Sequence, residues 1–226
     1  MGSLRLVWIV LAIPLLAASD GSRGVPPPPS PSFAPPAHGV LFADDFSHDL
    51  SAWRADMPGV WSIRRRVLRA DLPDKKQVRS LLWAGDSTWT DYALDFDCCM
   101  VRGVDKGAVV RGRGALGVGV DLRGGTYQDV VAYVRDWPVG KGAAVNANAV
   151  WNHVQIEVVG DRLRVSVNGD LKIDHRQTRA HQGRIALAAY TGGAGQCTVY
   201  YDNVVVTTRA GVTLPEAGES RGDGDR

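Results

Sequence analysis

The chain has 226 residues, 45% of them hydrophobic and 22% charged, with a formal net charge of +2 at pH 7. A balance that close to neutrality, with Arg and Asp interspersed, excludes the polybasic surface that holds nucleic acid or an anionic membrane. The cysteine count is three, so at least one thiol stays outside any intramolecular disulfide.

In chain order, Met1 to Arg5 is a short basic start, "LVWIVLAIPLLAA" is apolar, and Ala17, Ala18 and Ser19 are small. This pattern predicts a secretory signal peptide over 1–19, hence a secreted or periplasmic protein with no stable membrane anchor after cleavage. "VPPPPSPSFAPP" makes 20–38 a Pro-rich linker. The composition of 39–208 is that of one folded domain with a single sizeable core. The polar tail over 209–226 carries too little apolar surface to fold. The only basic run, Arg64 to Arg66, is expected to be split between the two faces of a strand.

Strand-like runs fill the domain: "VLFADDF", "GVWSIRRRVLRAD", "SLLWAG", "DYALDFDCCMV", "GAVVRG", "LGVGVDLR", "DVVAYVRDW", "RIALAAY" and "CTVYYDNVVVTT". Glycine, proline and Asn/Asp punctuate them, and no stretch keeps a helical period. The most regular segment runs from Trp151 to Asp174. Val154, Ile156 and Val158 share one face, and Gly160-Asp161 supplies a two-residue turn. That turn puts Val158 opposite Leu163, Ile156 opposite Val165, Val154 opposite Val167 and, outside, Glu157 opposite Arg164. A second turn of three residues, Asn168 to Asp170, would pair Val167 with Leu171 and Val165 with Ile173. Many strands, one core and no helix predict an all-β fold, a two-sheet antiparallel β-sandwich of jelly-roll type.

The order "LFADDFSHDLSAW", "GVWSI", "DYALDFDCCM", "GAVVRG", "WNHVQIEVVGDRLRVSVNGDLKID", "GRIALAAY" and "VYYDNVVV" resembles the concanavalin A-like lectin/glucanase superfamily. Within it the chain looks most like the 3-keto-disaccharide hydrolase family, and it is also similar to laminin-G-like modules. The resemblance implies a carbohydrate partner and two alternatives: a glycoside hydrolase acting on 3-keto-glycosides, or a non-catalytic carbohydrate-binding or adhesion module. It also implies a catalytic arginine at Arg111 in "GAVVRG" and an acid in "GVGVDLR". There Gly119 stands where the family's glutamate is expected and Asp121 lies two residues on, on the same face.

Glycosidase chemistry needs two carboxyls about one bond. Asp95 and Asp97 alternate in one strand as glucanase acids do, but without the glutamates, and are expected on an exposed outer face. Flat aromatic and planar polar groups suit sugars, which nominates Trp83, Tyr133 and Trp137 with Arg79, Arg123 and Arg135 as substrate-binding residues. Trp61 and Trp151 are expected in the core, and His153, His175 and His181 in solvent. No cofactor is expected. Asp45 and Asp202, on first and last strands that should pair, are weak calcium ligands, against a bulge at Asp202-Asn203. Cys98 and Cys197 face inward, either bridged or as two buried thiols, with Cys99 exposed.

Overall fold

The computed structural model describes residues 39–209, apart from 115, 135–136 and 177–179; the predicted signal peptide and linker, most of the polar tail, and Arg135 lie outside the described residues. The strands are β1 (Val40–Asp44), β2 (Arg54–Ala55), β3 (Trp61–Arg64), β4 (Val67–Leu72) and β5 (Arg79–Ala84). Then come β6 (Tyr92–Arg102), β7 (Asp105–Arg113), β8 (Leu116–Arg123), β9 (Asp129–Val134) and β10 (Trp137–Ala143). The series closes with β11 (Trp151–Val159), β12 (Arg162–Val167), β13 (Asp170–Arg176), β14 (Arg184–Tyr190) and β15 (Cys197–Thr208).

They form the predicted all-β sandwich. One sheet has the order β13-β12-β11-β6-β15-β4-β3, with β1 also on β15; the other has the order β10-β9-β8-β7-β14-β5-β2. All the pairings are antiparallel. We call these the first and second sheets. Alternate residues of each strand meet between them, where Leu94, Phe96, Ile156, Val165, Val120, Leu122 and Leu187 are buried.

Two tyrosines of the first sheet reach across this core into the second. The buried Tyr201 hydroxyl accepts the Gly107 amide at 2.9 Å and lies 3.0 Å and 2.5 Å from the Gly107 and Ala188 carbonyls. Tyr92 accepts the Arg111 amide at 2.6 Å and donates to the Gly183 carbonyl. Each hydroxyl satisfies backbone groups that the ladder of β7 and β14 leaves open.

The meander's first turn is as the sequence predicts, with Val158 opposite Leu163, Ile156 opposite Val165, Val154 opposite Val167 and Glu157 opposite Arg164. Its second turn differs. Val167 pairs with Asp170, so the loop is the two-residue Asn168-Gly169, both at positive φ. A register shift after Val165 then restores its pairing with Ile173. The strand takes a bulge, leaving Leu171 55% exposed, instead of a longer loop.

Other expectations change for local reasons. Arg65 and Arg66 form the β3–β4 turn, both at positive φ, and are not strand residues. The three cysteines are free and buried, so no Cys98–Cys197 bridge exists. Cys99 faces outward, yet it lies opposite Trp151 and Tyr200 on the neighbouring strands and is covered. Trp61 is core, donating to Ser80, but Trp151 shares the outer face with Cys99.

Asp95 and Asp97 are buried rather than exposed, because His153 lies over both, 3.4 Å and 2.9 Å away. Hydrogen bonds to Asp95 and Asp97 raise the His153 pKa to about 9, so it is a clamped cation and not a free solvated ring.

Candidate functional site on the outer face of the second sheet

Cross-strand register builds this face in three rows. The middle row reads Leu81, Ala188, Gly107, Asp121, Val131, Lys141. To one side lie Trp83, Ala186, Val109, Gly119 and Tyr133. To the other lie Arg79, Tyr190, Asp105, Arg123 and Asp129. Glycine and alanine occupy the centre, with Trp83 and Tyr133 at its flanks, so side-chain size alone makes a trough. Gly107 is obligatory, since a Cβ there would come within 1.8 Å of the Val120 carbonyl oxygen.

Asp121 is the acid of the trough. Burial and the charge of Asp105 push its carboxyl up to about 7, against the opposing pull of Arg79 and Arg123. Asp105 sits diagonally across the β7–β8 pair, one row away. Burial also raises its pKa, with Arg123 opposing and Asp129 reinforcing the shift. Its Oδ1 is buried without a hydrogen-bond partner. Arg123 does not supply one, because its guanidinium holds Asp129 at 2.7 Å and 2.8 Å. Asp105 and Asp121 are thus neighbouring carboxyls that both resist ionisation.

Next to them a cleft of about 280 Å³ opens between the loop after β14 and the β8–β9 turn, lined by Asp105, Arg123, Tyr127, Tyr190, Gly192 and Gly193 among others.

Of the sequence candidates, Arg79, Trp83, Asp121, Arg123 and Tyr133 share this face. Trp137 does not join them. It is 76% exposed on the edge strand and in register with Val134, whose side faces the core.

The expected Arg111–Asp121 pair does not form. Arg111 lies at a bulge in β7 with φ of 50°, and its side chain is buried. It donates to the carbonyls of Thr90, Gly160 and Ala180 and to Asp91. The bulge breaks the alternation that would have set Arg111 beside Asp121, and the guanidinium instead ties β7 to the β11–β12 turn. Asp105 and Tyr190 were not legible as site residues. Parity alone places them outward, but only the four-strand register of β8, β7, β14 and β5 brings them to Asp121.

At the calcium candidates the first and last strands pair as expected, with a register shift between Asp202 and Val205 and Asn203 at positive φ. Asp45 accepts the Ser47 amide and Asp202 the Asn203 amide. Among the described residues no three His, Cys, Asp or Glu side chains gather in a metal-binding group.

Residues 39–207 match the pattern of a family described as a 3-keto-α-glucoside-1,2-lyase-like domain. No curated protein matches the chain. Among solved structures, carbohydrate-binding module CBM66 from Bacillus subtilis is similar with a TM-score of 0.60 at 14% identity, over 70% of this chain and 96% of that one. A Bacillus subtilis protein of unknown function with a galectin-like fold gives 0.62 at 8% identity, over 75% and 96%. The β-glucanase of Bacillus licheniformis gives 0.58 at 11% identity, over 77% and 100%. At these identities the likeness is one of fold, the concanavalin A-like jelly roll shared by lectins and glucanases.

Proposed function

Because the chain belongs to the 3-keto-α-glucoside-1,2-lyase-like family, we propose that it cleaves 3-keto-glycosides in the trough, by elimination between C1 and C2. A ketone at C3 acidifies the hydrogen on C2. Asp121 takes that proton, and the electron pair of the C2–H bond moves onto the ketone oxygen as an enolate, which Arg79 and Arg123 stabilise electrostatically. The enolate collapses to a C1–C2 double bond as the C1–O bond breaks with its electrons on the departing oxygen. In the singly protonated pair the microstate with Asp121 ionised and the proton on Asp105 is the reactive one, and Asp105 gives the departing oxygen that proton. The products are an unsaturated 3-keto sugar and an alcohol, and water added later to the enone makes the net change a hydrolysis.

The observation that carries this reading is the pair of adjacent carboxyls with raised pKa values, one with an unpartnered oxygen. A group poised near neutrality serves general acid–base chemistry well. Trp83 and Tyr133 lie on the same face as the carboxyls, which also suits the second reading, a carbohydrate-binding module without catalysis. Turnover of methyl 3-keto-α-glucoside separates the two. The wild type should cleave it and Asp121→Asn should not, while binding without cleavage by both would leave the module. The enzyme is proposed to work outside the cytoplasm after removal of 1–19; a mature exported protein beginning near Asp20 would bear this out.

A further inference from the structure

Two arginines on the outer face of the second sheet take no part in the elimination. They stand at Trp83, on the side of the trough away from Asp105. Trp83 lies opposite Ala186 on β14 and leans across that strand onto β7. Its six-membered ring rests on Gly112, where a Cβ would come within 2.3 Å of it. The Arg184 guanidinium lies over the same ring, 5.6 Å from the centroid. Arg184 faces Gly112 across the β7–β14 pair, and Arg54 on β2 is in register with Trp83. Neither arginine has a carboxylate partner among the described residues, and the Nε of Arg184 is buried with no hydrogen-bond partner. Other arginines of the two outer faces are neutralised: Arg69 by Asp71, Arg162 by Asp174 and Arg123 by Asp129. A guanidinium held over an indole without a counter-charge is preorganised for a planar anion.

The orientation of the keto ring decides which of its atoms reaches this pair. With C2 at Asp121 and the departing oxygen at Asp105, the far side of the ring points over Gly119 and Ala186 toward Trp83. In a pyranose C5 lies diametrically opposite C2, and C5 carries C6. From Asp121 to Arg184 the register crosses two strand spacings and runs four residues along β14, roughly 16 Å between Cα atoms at ordinary strand dimensions. An aspartate side chain, one pyranose ring and an arginine side chain bridge that span. The floor between them is open, since a Cβ on Gly119 would meet nothing within 4 Å.

We propose that Arg184, with Arg54, binds an anionic group on C6 of the keto ring, so that the preferred substrate is a 3-keto-hexuronoside. The inference rests on the elimination reading for the orientation of the ring. A C6 carboxylate meets the guanidinium as a fork, whereas the hydroxymethyl group of a neutral hexoside leaves its charge unpaired.

The test compares methyl 3-keto-α-glucoside with its C6 carboxylate counterpart. Wild-type kcat/KM should favour the carboxylate by roughly ten- to a hundredfold, the scale of one hydrogen bond between charged groups. Arg184→Met keeps an aliphatic stem against Trp83. It should remove the preference and leave the neutral glycoside unchanged. Arg54→Met, an exposed change, should lower the preference too, and it tests the site if Arg184→Met does not fold. Equal kcat/KM for the two substrates in the wild type, or equal losses on both in the variants, would overturn the anion site. If the wild type cleaves neither substrate, the elimination reading fails by itself, and titration with the unoxidised sugars still decides the site. Methyl α-glucuronide should shift the Trp83 indole resonance saturably and bind more tightly than methyl α-glucoside, with the difference lost in Arg184→Met. No shift with the glucuronide, or the same affinity for both sugars, overturns it.

Discussion

Asp121 is a residue whose environment works against its own ionisation. Its carboxyl pKa rises from 3.8 to about 7 on folding. The stability it contributes is therefore complete below 3.8 and is lost as pH rises through about 7. Asp121→Asn, which cannot ionise, should melt above the wild type in mildly alkaline buffer and converge with it in acid, while losing turnover. A melting temperature unchanged across that range would remove the electrostatic basis of the site. His153 shows the same linkage for a cation. Its pKa rises from 6.5 to about 9 through Asp95 and Asp97, so its contribution is whole below 6.5 and fades as pH climbs past about 9. His153→Gln should flatten that alkaline decline in thermal scans. Asp121 was visible in the sequence because strand alternation put it outward beside Gly119. Arg111 was misplaced because a single bulge reverses such an argument, and no residue in "GAVVRG" announces the bulge.

Turns are the elements where local chemistry was both most and least readable. Gly160 is at φ of 55°, as its turn requires, and the register that follows from it holds through six pairs. Arg65 and Arg66, at φ of 55° and 63°, occupy a β3–β4 turn that ordinarily takes Asn-Gly. Nothing in "RRRV" signals a turn, since neither residue favours positive φ. Replacing Arg65-Arg66 by Asn-Gly should raise stability by roughly 1–2 kcal/mol, measured by urea denaturation, because the strain of two left-handed residues is relieved. A loss of stability would mean that the arginine side chains contribute more than their backbone costs. At the meander's second turn the error was in assuming a regular strand. Asn168-Gly169 does form the short loop, and the bulge in β13 absorbs the mismatch.

Across the whole molecule, the sandwich was legible because every strand carries its own alternation, whereas the site depends on how strands neighbour one another. Asp105, Arg79 and Tyr190 lie on three different strands, and their order β7-β14-β5 is not chain order. Tyr201 helps to fix that order from the opposite sheet, its hydroxyl lying between Gly107 and Ala188 under the trough floor. Tyr201→Phe would leave the Gly107 amide without this acceptor and should cost about 1–3 kcal/mol in chemical denaturation. In the proposed elimination Asp121 removes the proton from C2. The direct measurement uses methyl 3-keto-α-glucoside deuterated at C2 and follows both cleavage and the fate of the label. The wild type should cleave it more slowly than the protiated sugar and release the deuterium to solvent, and Asp121→Asn should do neither. Cleavage that keeps deuterium on C2, or turnover by Asp121→Asn at the wild-type rate, would contradict it.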